Sequence, residues 1–229
     1  MIKENLKTIL DEIGSAKAKS PYGQDVKLVA VSKTKPAGDI LEAYEAGIRD
    51  FGENKVQELC AKYEELPKDI RWHLIGHLQT NKVKYIIGKT YLIHSVDSLK
   101  LAKEIEKEAA KKDVSVDILI QVNISKEESK SGISEEEAPA LIDEILKMPH
   151  INIKGLMTIA PICEDPEEVR PVFRQLKKLS VDIACFNHDN NSKCELSMGM
   201  SGDFKAAVLE GATYVRIGSS IFGERNYNL

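Results

Sequence analysis

Two periodicities of hydrophobic and polar positions alternate along the chain. Short runs are apolar on consecutive residues, as strands buried on both faces are, and longer stretches between them repeat apolar residues every three or four positions. The runs predict strands at Lys27–Ser32, Arg49–Gly52, Trp72–Ile75, Leu92–Ser95, Val116–Asn123, Ile153–Thr158, Cys194–Ser197 and Thr213–Ile217. We therefore expect strands and helices to follow each other in regular succession.

The helical stretches carry start and stop signals. An amphipathic helix is predicted at the N-terminus, with one apolar face made by Ile2, Leu6, Ile9, Leu10 and Ile13. Later helical patterns span Ala37–Gly47, Ser98–Lys112, Ser134–Met148, Asp165–Leu179 and Asp203–Gly211. Most of them open with Ser or Asp and two close on Gly, which are residues that favour helix beginnings and ends.

Eight strand–helix steps predict a parallel α/β architecture. In a chain of this length they close most economically as a (β/α)8 TIM barrel, here with an extra N-terminal helix. A doubly wound open sheet is the alternative, because the pattern defines the order of the strands better than their number. No linker or internal repeat divides the sequence, so residues 1–229 are expected to form a single barrel domain. The polar segment Phe186–Lys193 is predicted to be an irregular loop.

Composition narrows the class of protein. The 229 residues are 42% hydrophobic and 30% charged, with a formal net charge of -4, as in ordinary globular proteins. Dispersed lysines and a pI near 5.8 argue against a nucleic-acid partner. No apolar run approaches the roughly 18 residues of a membrane span, and the polar N-terminus is unlike a secretory signal. Four cysteines without a CxxC pair predict reduced thiols and a cytoplasmic location.

Glycines and serines cluster after the last two predicted strands. Strand seven leads into LSMGMSGDFKAA (Leu196–Ala207), and strand eight into VRIGSSIFGER (Val215–Arg225). Backbone N–H groups and hydroxyls in such turns can bind an anion, although a tight turn with Ser201 capping the next helix is the plainer alternative. The loops after strands seven and eight of TIM barrels commonly hold a phosphate. The two clusters together therefore predict a phosphate site.

A lysine ends the first predicted strand, in VAVSKTKP (Val29–Pro36). Strand one lies beside strand eight in a closed barrel, so Lys33 is expected near the phosphate site. Loss of hydration at an apolar strand end would lower the pKa of Lys33 and favour its nucleophilic form. A neutral amine forms a Schiff base with an aldehyde, and pyridoxal 5'-phosphate (PLP) carries both an aldehyde and a phosphate. The alternatives are a solvated rim lysine and the rival amine Lys35, which we expect to face solvent.

Arg216, near the end of strand eight, is the second residue that points to this cofactor. A buried arginine stays charged and only donates hydrogen bonds. Facing the ring, it would donate to the pyridine nitrogen, keep that nitrogen unprotonated and restrain carbanion chemistry. Pairing with an acidic residue at the barrel rim is the structural alternative.

Six ordered motifs resemble the pyridoxal phosphate homeostasis protein family: VAVSKTKP, FGENKVQE, WHLIGHLQTNK, GLMTIAP, LSMGMSGDF and ATYVRIGSSIFGER. These proteins are single-domain relatives of the alanine racemase barrel, the fold type III of PLP proteins, and the resemblance covers nearly the whole chain. It implies that Lys33 is the Schiff-base lysine. It also implies that Asn54 lies near the ring, that Met200 and His77 line the pocket, that Arg216 approaches the pyridine nitrogen, and that Ser201, Gly202, Gly218 and Ser219 cradle the phosphate.

The resemblance implies a carrier or regulator of PLP and not an enzyme. Racemases of this fold need a second proton-transfer group opposite the lysine, usually a tyrosine from another domain or subunit. We expect no second domain before Leu229, and only Tyr227 could fold back from the tail. The expected protein is thus a monomer that holds PLP on Lys33 and stores it or supplies it to apo PLP-dependent enzymes. A PLP-dependent amino-acid racemase or lyase is the alternative, and weak racemase-type activity stays open.

Two further activities fit the sequence poorly. A hydrolase would use Ser201 in a GxSxG motif, but Asp203 stands where the last glycine belongs. A metal site at His73 and His77 would suit a helix, whereas the stretch WHLIG is predicted to be a strand that runs into a loop. We therefore expect no metal, and interpret both histidines as core or pocket residues.

Overall fold

Eight parallel strands form a closed barrel within residues 1–127, 131–183 and 194–223, the part of the chain that the computed structural model describes. The strands are β1 (Lys27–Val31), β2 (Asp50–Glu53), β3 (Arg71–Leu74), β4 (Leu92–Val96), β5 (Val116–Gln121), β6 (Ile151–Met157), β7 (Glu195–Met200) and β8 (Tyr214–Ile217). They are hydrogen-bonded in sequence order, and β1 closes the barrel on β8. The predicted (β/α)8 fold is confirmed.

Helices follow the strands and cover the outside of the barrel. They are α1 (Ile2–Lys19), α2 (Ala37–Glu45), α3 (Val56–Glu65), α4 (Val83–Ile86), α5 (Leu99–Lys112), α6 (Ala138–Ile145), α7 (Arg170–Ile183), α8 (Phe204–Leu209) and α9 (Ser219–Phe222). The extra N-terminal helix α1 packs against α2, α8 and α9. It buries the apolar stripe that its sequence predicts, except that Leu10 is exposed.

Apolar residues are divided between two layers. The larger cluster fills the space between the strands and the helices, and includes Phe51, Trp72 and Phe173. A small second cluster, built by strand residues of β1, β4, β5, β6 and β8, comprises Val29, Leu92, Leu119, Met157 and Tyr214. Side chains fill the interior of a TIM barrel and leave no pore. Because the small apolar cluster occupies only part of that interior, buried polar side chains fill the rest, and they extend toward the site described below.

Some elements differ from the prediction. The pattern did not indicate α3, α4 or α9. Ser134 does not begin α6 directly: its hydroxyl donates to Glu137 Oε2 at 2.9 Å and accepts from the Glu137 N–H at 3.3 Å, which forms a capped turn just before the helix starts at Ala138. The predicted loop Phe186–Lys193 lies outside the described residues.

The described residues also bear on two composition-based expectations. Cys60, Cys163 and Cys194 are free thiols, whereas Cys185 is outside the described part. None of the helices seen in the described ranges is both long and apolar enough to pass through a bilayer.

Candidate functional site

A cavity of about 430 Å³ opens where β1, β7 and β8 end. Its size is typical of a pocket for a small molecule. The described residues that line it are Val31, Lys33, Lys35, Asn54, Ile75, Ile159, Ile162, Met200, Ser201, Gly202, Arg216, Gly218, Ser219 and Gly223. The carboxyl ends of barrel strands carry the functional residues in TIM-barrel proteins, so both the position and the lining mark this cavity as the candidate site.

The loops after β7 and β8 meet at one wall of the cavity. Ser201 Oγ accepts a hydrogen bond from the Gly218 N–H at 3.3 Å, which joins the two loops directly. The β7 loop is folded back on itself by Asp203, whose Oδ1 accepts from the Met200 N–H at 2.5 Å while its own N–H donates to the Met200 carbonyl at 3.1 Å. Burial raises the pKa of Asp203, and the Met200 N–H opposes that shift. The two serine and glycine clusters thus form one surface, as the sequence predicts.

Gly199 makes this turn possible. Its φ of 92° lies in the region that residues with a side chain rarely adopt. A Cβ atom at this position would lie 2.6 Å from Ala207 Cβ and 3.0 Å from Phe204 Cα. Glycine therefore lets the end of β7 lie directly against α8 and turn Met200 and Ser201 toward the cavity.

Lys33 stands in a tight turn between β1 and α2. The next residue, Thr34, has a φ of 66°, which is uncommon for a residue with a β-branched side chain. The Lys35 N–H donates to the Ser32 carbonyl at 3.0 Å and closes the turn. Such strain persists only where neighbouring contacts impose it.

Those contacts come from four residues that we call the Lys33 clamp, of which Glu58 is partly exposed and the others are buried: Ser32, Glu53, Glu58 and Lys62. Lys62 Nζ donates to Glu53 Oε1 at 2.8 Å, to Glu58 Oε1 at 2.7 Å and to the Ser32 carbonyl at 2.8 Å. The Ser32 hydroxyl donates to Glu53 Oε1 at 2.6 Å, and the Thr34 N–H donates to Glu58 Oε1 at 2.5 Å. The clamp therefore holds the backbone on both sides of Lys33.

Glu53 is the least compensated member of the clamp. Its side chain is completely buried, and its Oε2 atom has no hydrogen-bond partner among the described residues. Burial raises the pKa of Glu53, while the attraction of Lys62 opposes this shift. A carboxylate in this position is stable only because Lys62 stays beside it.

Arg216 reaches the cavity from the barrel interior. It is 4% exposed, and it donates from Nη1 to Ser197 Oγ at 2.5 Å and from Nη2 to the Thr158 carbonyl at 2.9 Å. Burial lowers the pKa of Arg216 to about 10, and nearby Asp203 opposes the shift. The guanidinium thus remains charged at neutral pH. Among the described residues it donates to a hydroxyl and a carbonyl, and not to the acidic rim residue considered from the sequence.

The electrostatic character of the cavity is cationic. Lys33, Lys35 and Arg216 all line it, and its described lining includes no carboxylate. A concave site with cations and low-dielectric walls attracts anions. Together with the hydroxyls and N–H groups of the joined loops, it suits a ligand that carries a phosphate at one end.

The structure brings most of the predicted site residues together. Lys33, Arg216 and Asn54 line the cavity with the loop residues Met200, Ser201, Gly202, Gly218 and Ser219. His77 does not line it; its side chain is 58% exposed, 3.8 Å from Asp97 Oδ2, beside two smaller neighbouring cavities that also contact Asn54.

The prediction for the position of Lys35 was wrong. The sequence predicts that it faces solvent, but it is half-buried, lines the cavity and donates from Nζ to the carbonyls of Phe222 at 2.8 Å and Gly223 at 3.2 Å. The hydrogen bond from the Lys35 N–H to the Ser32 carbonyl closes a tight turn at Thr34, and this turn keeps Lys35 beside the cavity. As a result, two lysines separated by one residue reach the same cavity.

Several functional neighbours have no sequence motif. Ile75, Ile159 and Ile162 supply the apolar lining. The clamp residues Glu53 and Lys62 support Lys33 from behind. A buried lysine at a core-facing helix position is the one signal that could have indicated the clamp, since such a charge needs a partner.

The two alternative activities gain no support from this geometry. A serine hydrolase needs a base beside its serine, and no histidine is found among the described residues lining the cavity. His73 is buried and uses both ring nitrogens, toward His94 and Asp50, while His77 lies at the surface. In the described ranges no group of three or more His, Cys, Asp or Glu side chains is arranged to hold a metal ion.

Comparison with known proteins gives consistent matches over the whole barrel. The family model "Alanine racemase, N-terminal domain" matches residues 5–226. A pyridoxal phosphate homeostasis protein of Aquifex aeolicus is 46% identical over 226 residues, which covers 98% of this chain and 98% of the relative. One of Pseudomonas aeruginosa is 40% identical, over 99% of this chain and 96% of the relative.

Solved structures agree with these sequence matches. PipY of Synechococcus elongatus, determined with PLP bound, is 36% identical and superposes with a TM-score of 0.83 over 97% of this chain and all of PipY. The same protein without PLP superposes with a TM-score of 0.85. The barrel and its closure are thus shared with a protein whose structure contains that cofactor.

Proposed function

The chain belongs to the pyridoxal phosphate homeostasis protein family, within the wider group that shares the alanine racemase N-terminal domain, and from this we propose that it binds PLP. In this proposal residues 1–229 act as one cofactor-binding barrel domain. Lys33 holds the cofactor as a Schiff base, and the protein stores PLP or supplies it to other proteins in the cytoplasm. Apo PLP-dependent enzymes are the proposed recipients, and the protein acts as a monomer.

One observation supports the proposal: a lysine, an arginine and two joined serine–glycine loops line the same cavity. When bound, PLP supplies an aldehyde that condenses with an amine and a ring that can accept electrons. Lys33 would provide the amine, and Ser201, Gly202, Gly218 and Ser219 would hold the phosphate. Arg216 would donate to the ring nitrogen. Asn54 and Met200 would contact the ring. His77 would contribute to cofactor binding from the neighbouring cavities that it shares with Asn54.

The lining favours binding over catalysis. Racemisation needs an acid and a base on opposite faces of the substrate carbon. Among the described residues that line the cavity there is no tyrosine, histidine or carboxylate to act opposite Lys33. A guanidinium beside the ring nitrogen would further disfavour ring protonation, and an unprotonated ring stabilises a carbanion less well. We therefore propose reversible binding of PLP as the main activity.

Lys35 is the observation that favours the second candidate, a PLP-dependent amino-acid racemase or lyase. It places another amine in the cavity. Its Nζ atom, however, donates to the backbone carbonyls of Phe222 and Gly223, which anchor the amine to the chain after β8. We propose that an amine anchored in this way attracts an anion to the cavity and is not a second catalytic group.

Trapping with borohydride tests the proposal directly. The purified protein, loaded with PLP and reduced, should carry the pyridoxyl group on Lys33, as located by peptide mass mapping. Lys33→Ala should lose the visible absorbance of the imine, whereas Lys35→Ala serves as the matched control and should keep it. A label on Lys35 or the absence of bound PLP would refute the proposed function.

A second measurement separates carrier from enzyme. Addition of D- or L-alanine to the loaded protein should give no sustained racemisation, and mixing with an apo PLP-dependent enzyme should restore that enzyme's activity. Sustained turnover that depends on Lys33 and Lys35 would establish the racemase alternative.

A further inference from the structure

A line of buried polar side chains crosses the barrel interior beneath Arg216. Ser197 Oγ, which contacts Arg216 Nη1, also lies 2.8 Å from His94 Nδ1. His94 Nε2 lies 2.8 Å from His73 Nδ1. His73 Nε2 lies 2.9 Å from Asp50 Oδ1. These four hydrogen bonds form what we call the Arg216 chain, and every member is at most 6% exposed.

The Asp50 end of the chain can only accept hydrogen bonds. Arg71 donates to both carboxylate oxygens of Asp50, from Nε at 2.8 Å and from Nη2 at 2.5 Å. Although burial alone would raise it, hydrogen bonds from Arg71 and His73 hold the pKa of Asp50 well below its usual range. An ionised carboxylate has no hydrogen to donate, so His73 Nε2 must carry the proton in this contact.

The Arg216 end can only donate. Because a guanidinium has no acceptor, the Ser197 oxygen must accept from Arg216, and the Ser197 hydrogen can point to His94 Nδ1. A neutral imidazole with an accepting Nδ1 carries its proton on Nε2, and so His94 donates to His73 Nδ1. The Asp50 end fixes this assignment: a neutral His73 that donates from Nε2 must accept at Nδ1 from His94 Nε2, and a neutral His94 must then accept at Nδ1 from Ser197. With two neutral rings, donation therefore runs in one direction, from Arg216 to Asp50.

The two histidines stay neutral in this arrangement. Burial lowers the pKa of His73 despite the attraction of Asp50, and it lowers the pKa of His94 well below its usual value, with His73 and Arg216 adding to the effect. The charged groups that act on the pair are Asp50, Arg71, Lys27 and Arg216, and the rings of Tyr91 and Tyr214 pack against His73. With both rings neutral, each hydrogen bond of the chain joins one donor to one acceptor.

We propose that Ser197, His94, His73 and Asp50 are positioning residues that orient Arg216 and connect it, by hydrogen bonds donated in one direction, to a carboxylate near the opposite mouth of the barrel. With Nη1 held by Ser197 and Nη2 held by the Thr158 carbonyl, the remaining N–H groups of Arg216 serve the cavity. The cofactor part of this inference rests on the proposed function. The direction of the chain does not, because it follows from the protein alone.

The first test needs no cofactor. Long-range nitrogen–proton NMR of the histidine-labelled protein should show both His73 and His94 as neutral rings protonated on Nε2, at pH 7 and at pH 6. A ring protonated on Nδ1, or a doubly protonated ring at pH 6, would overturn the inference even if every variant below failed to fold.

The second test measures PLP. Asp50→Asn and Ser197→Ala should each raise the dissociation constant of PLP about tenfold, which corresponds to about 1.4 kcal/mol, because Arg216 is then less firmly oriented. They should also shift the nitrogen resonance of bound PLP labelled in its ring. Glu210→Gln is the matched control: Glu210 is a buried carboxylate held by Arg170 and Arg174 and does not line the cavity.

The outcomes distinguish the two levels of the proposal. If Asp50→Asn and Glu210→Gln change the PLP resonance equally, the chain has only a structural role and the inference is wrong. If wild-type protein fails to bind PLP while both histidines show the expected proton positions, the proposed function fails and the one-directional chain stands.

Discussion

Lys33 and Arg216, the two residues on which the candidate site depends, are supported in opposite ways. Lys33 is held by a compact clamp in which three charged side chains meet at Lys62 Nζ, between a strand and a helix. Arg216 is held by an unbranched chain that is uncharged in its middle and runs through the barrel interior. The clamp needs the positive charge of Lys62, whereas the Arg216 chain needs His73 and His94 to stay uncharged. One site can therefore combine two supports with opposite electrostatic requirements.

Loss of the central charge of the clamp should have the largest effect. Lys62→Met leaves Glu53 buried without its partner, and we expect a loss of about 3–5 kcal/mol in the free energy of unfolding, measured with urea. Lys205→Met is the control, since Lys205 pairs with Glu12 at 2.6 Å on the surface, and its loss should cost less than about 1 kcal/mol. Equal effects of the two substitutions would contradict the role given to the clamp.

Acidification should change the contributions of the two supports to folding stability in opposite directions. The pKa values of His73 and His94 are lowered in the folded protein, so the unfolded chain binds more protons below its histidine pKa of about 6.5. Folding stability then falls as pH decreases, by up to about 1.4 kcal/mol per pH unit for each histidine. The raised pKa of Glu53 acts in the opposite direction, because its protonation relieves the clamp.

Urea unfolding at pH 7 and pH 5.5 checks this expectation. His94→Gln removes one of the two buried rings, so its stability should fall less steeply with acid than that of the wild type. Identical pH slopes in the two proteins would show that His94 is not held neutral by the fold.

Replacing one serine in each support should have the next largest effect on the stability of the protein. Ser32 and Ser197 are both fully buried, but Ser32 donates one hydrogen bond in the clamp, whereas Ser197 joins two groups in the chain. Each Ser→Ala change should destabilise the protein by about 1–3 kcal/mol, with Ser197→Ala the larger. Calorimetric unfolding of both variants measures the order, and the reverse order would contradict a chain that is continuous at Ser197.

The smallest expected effect is that of Glu53→Gln. The amide oxygen can still accept from Ser32 and Lys62, and the buried negative charge disappears. We expect a change within about 1 kcal/mol in the free energy of unfolding at pH 7. We also expect this variant to lose more stability than the wild type on acidification, since it lacks the stabilisation that protonation of Glu53 gives the wild type. A large loss at pH 7 would show that the clamp needs the charge of Glu53 and not only its shape.

The strands, their order and the strand-end residues could be predicted from sequence because each rests on a local signal. Apolar runs mark the strands, and Lys33 and the serine–glycine loops stand where those runs end. Helix α3 was missed because Lys62 occupies a core-facing position with Val56 and Leu59, which breaks the apolar pattern. Once the helix is recognised, a lysine at a core-facing position is a signal that a buried partner must exist, but it does not say which residue that partner is.

The Arg216 chain could not be predicted for a different reason. Its hydrogen bonds join residues 19, 103, 21 and 23 positions apart, on five different strands. Which strand residues point inward, and at which height in the barrel, depends on the register between strands, and the sequence pattern does not encode the register. Both His73 and His77 were interpreted as core or pocket residues; His73 lies in the core, whereas His77 is 58% exposed, and the partners of His73 came only from the structure.

The closure of the barrel has a consequence for how the protein matures. Lys27 and Tyr214, which pair across the β1–β8 seam, lie 187 positions apart. Contacts of such long range form late, since the entropy of a large loop must be lost first. During synthesis, Lys33 and the turn after β1 leave the ribosome long before Arg216 has been synthesised. Capture of a ligand between them would thus mark the completion of folding.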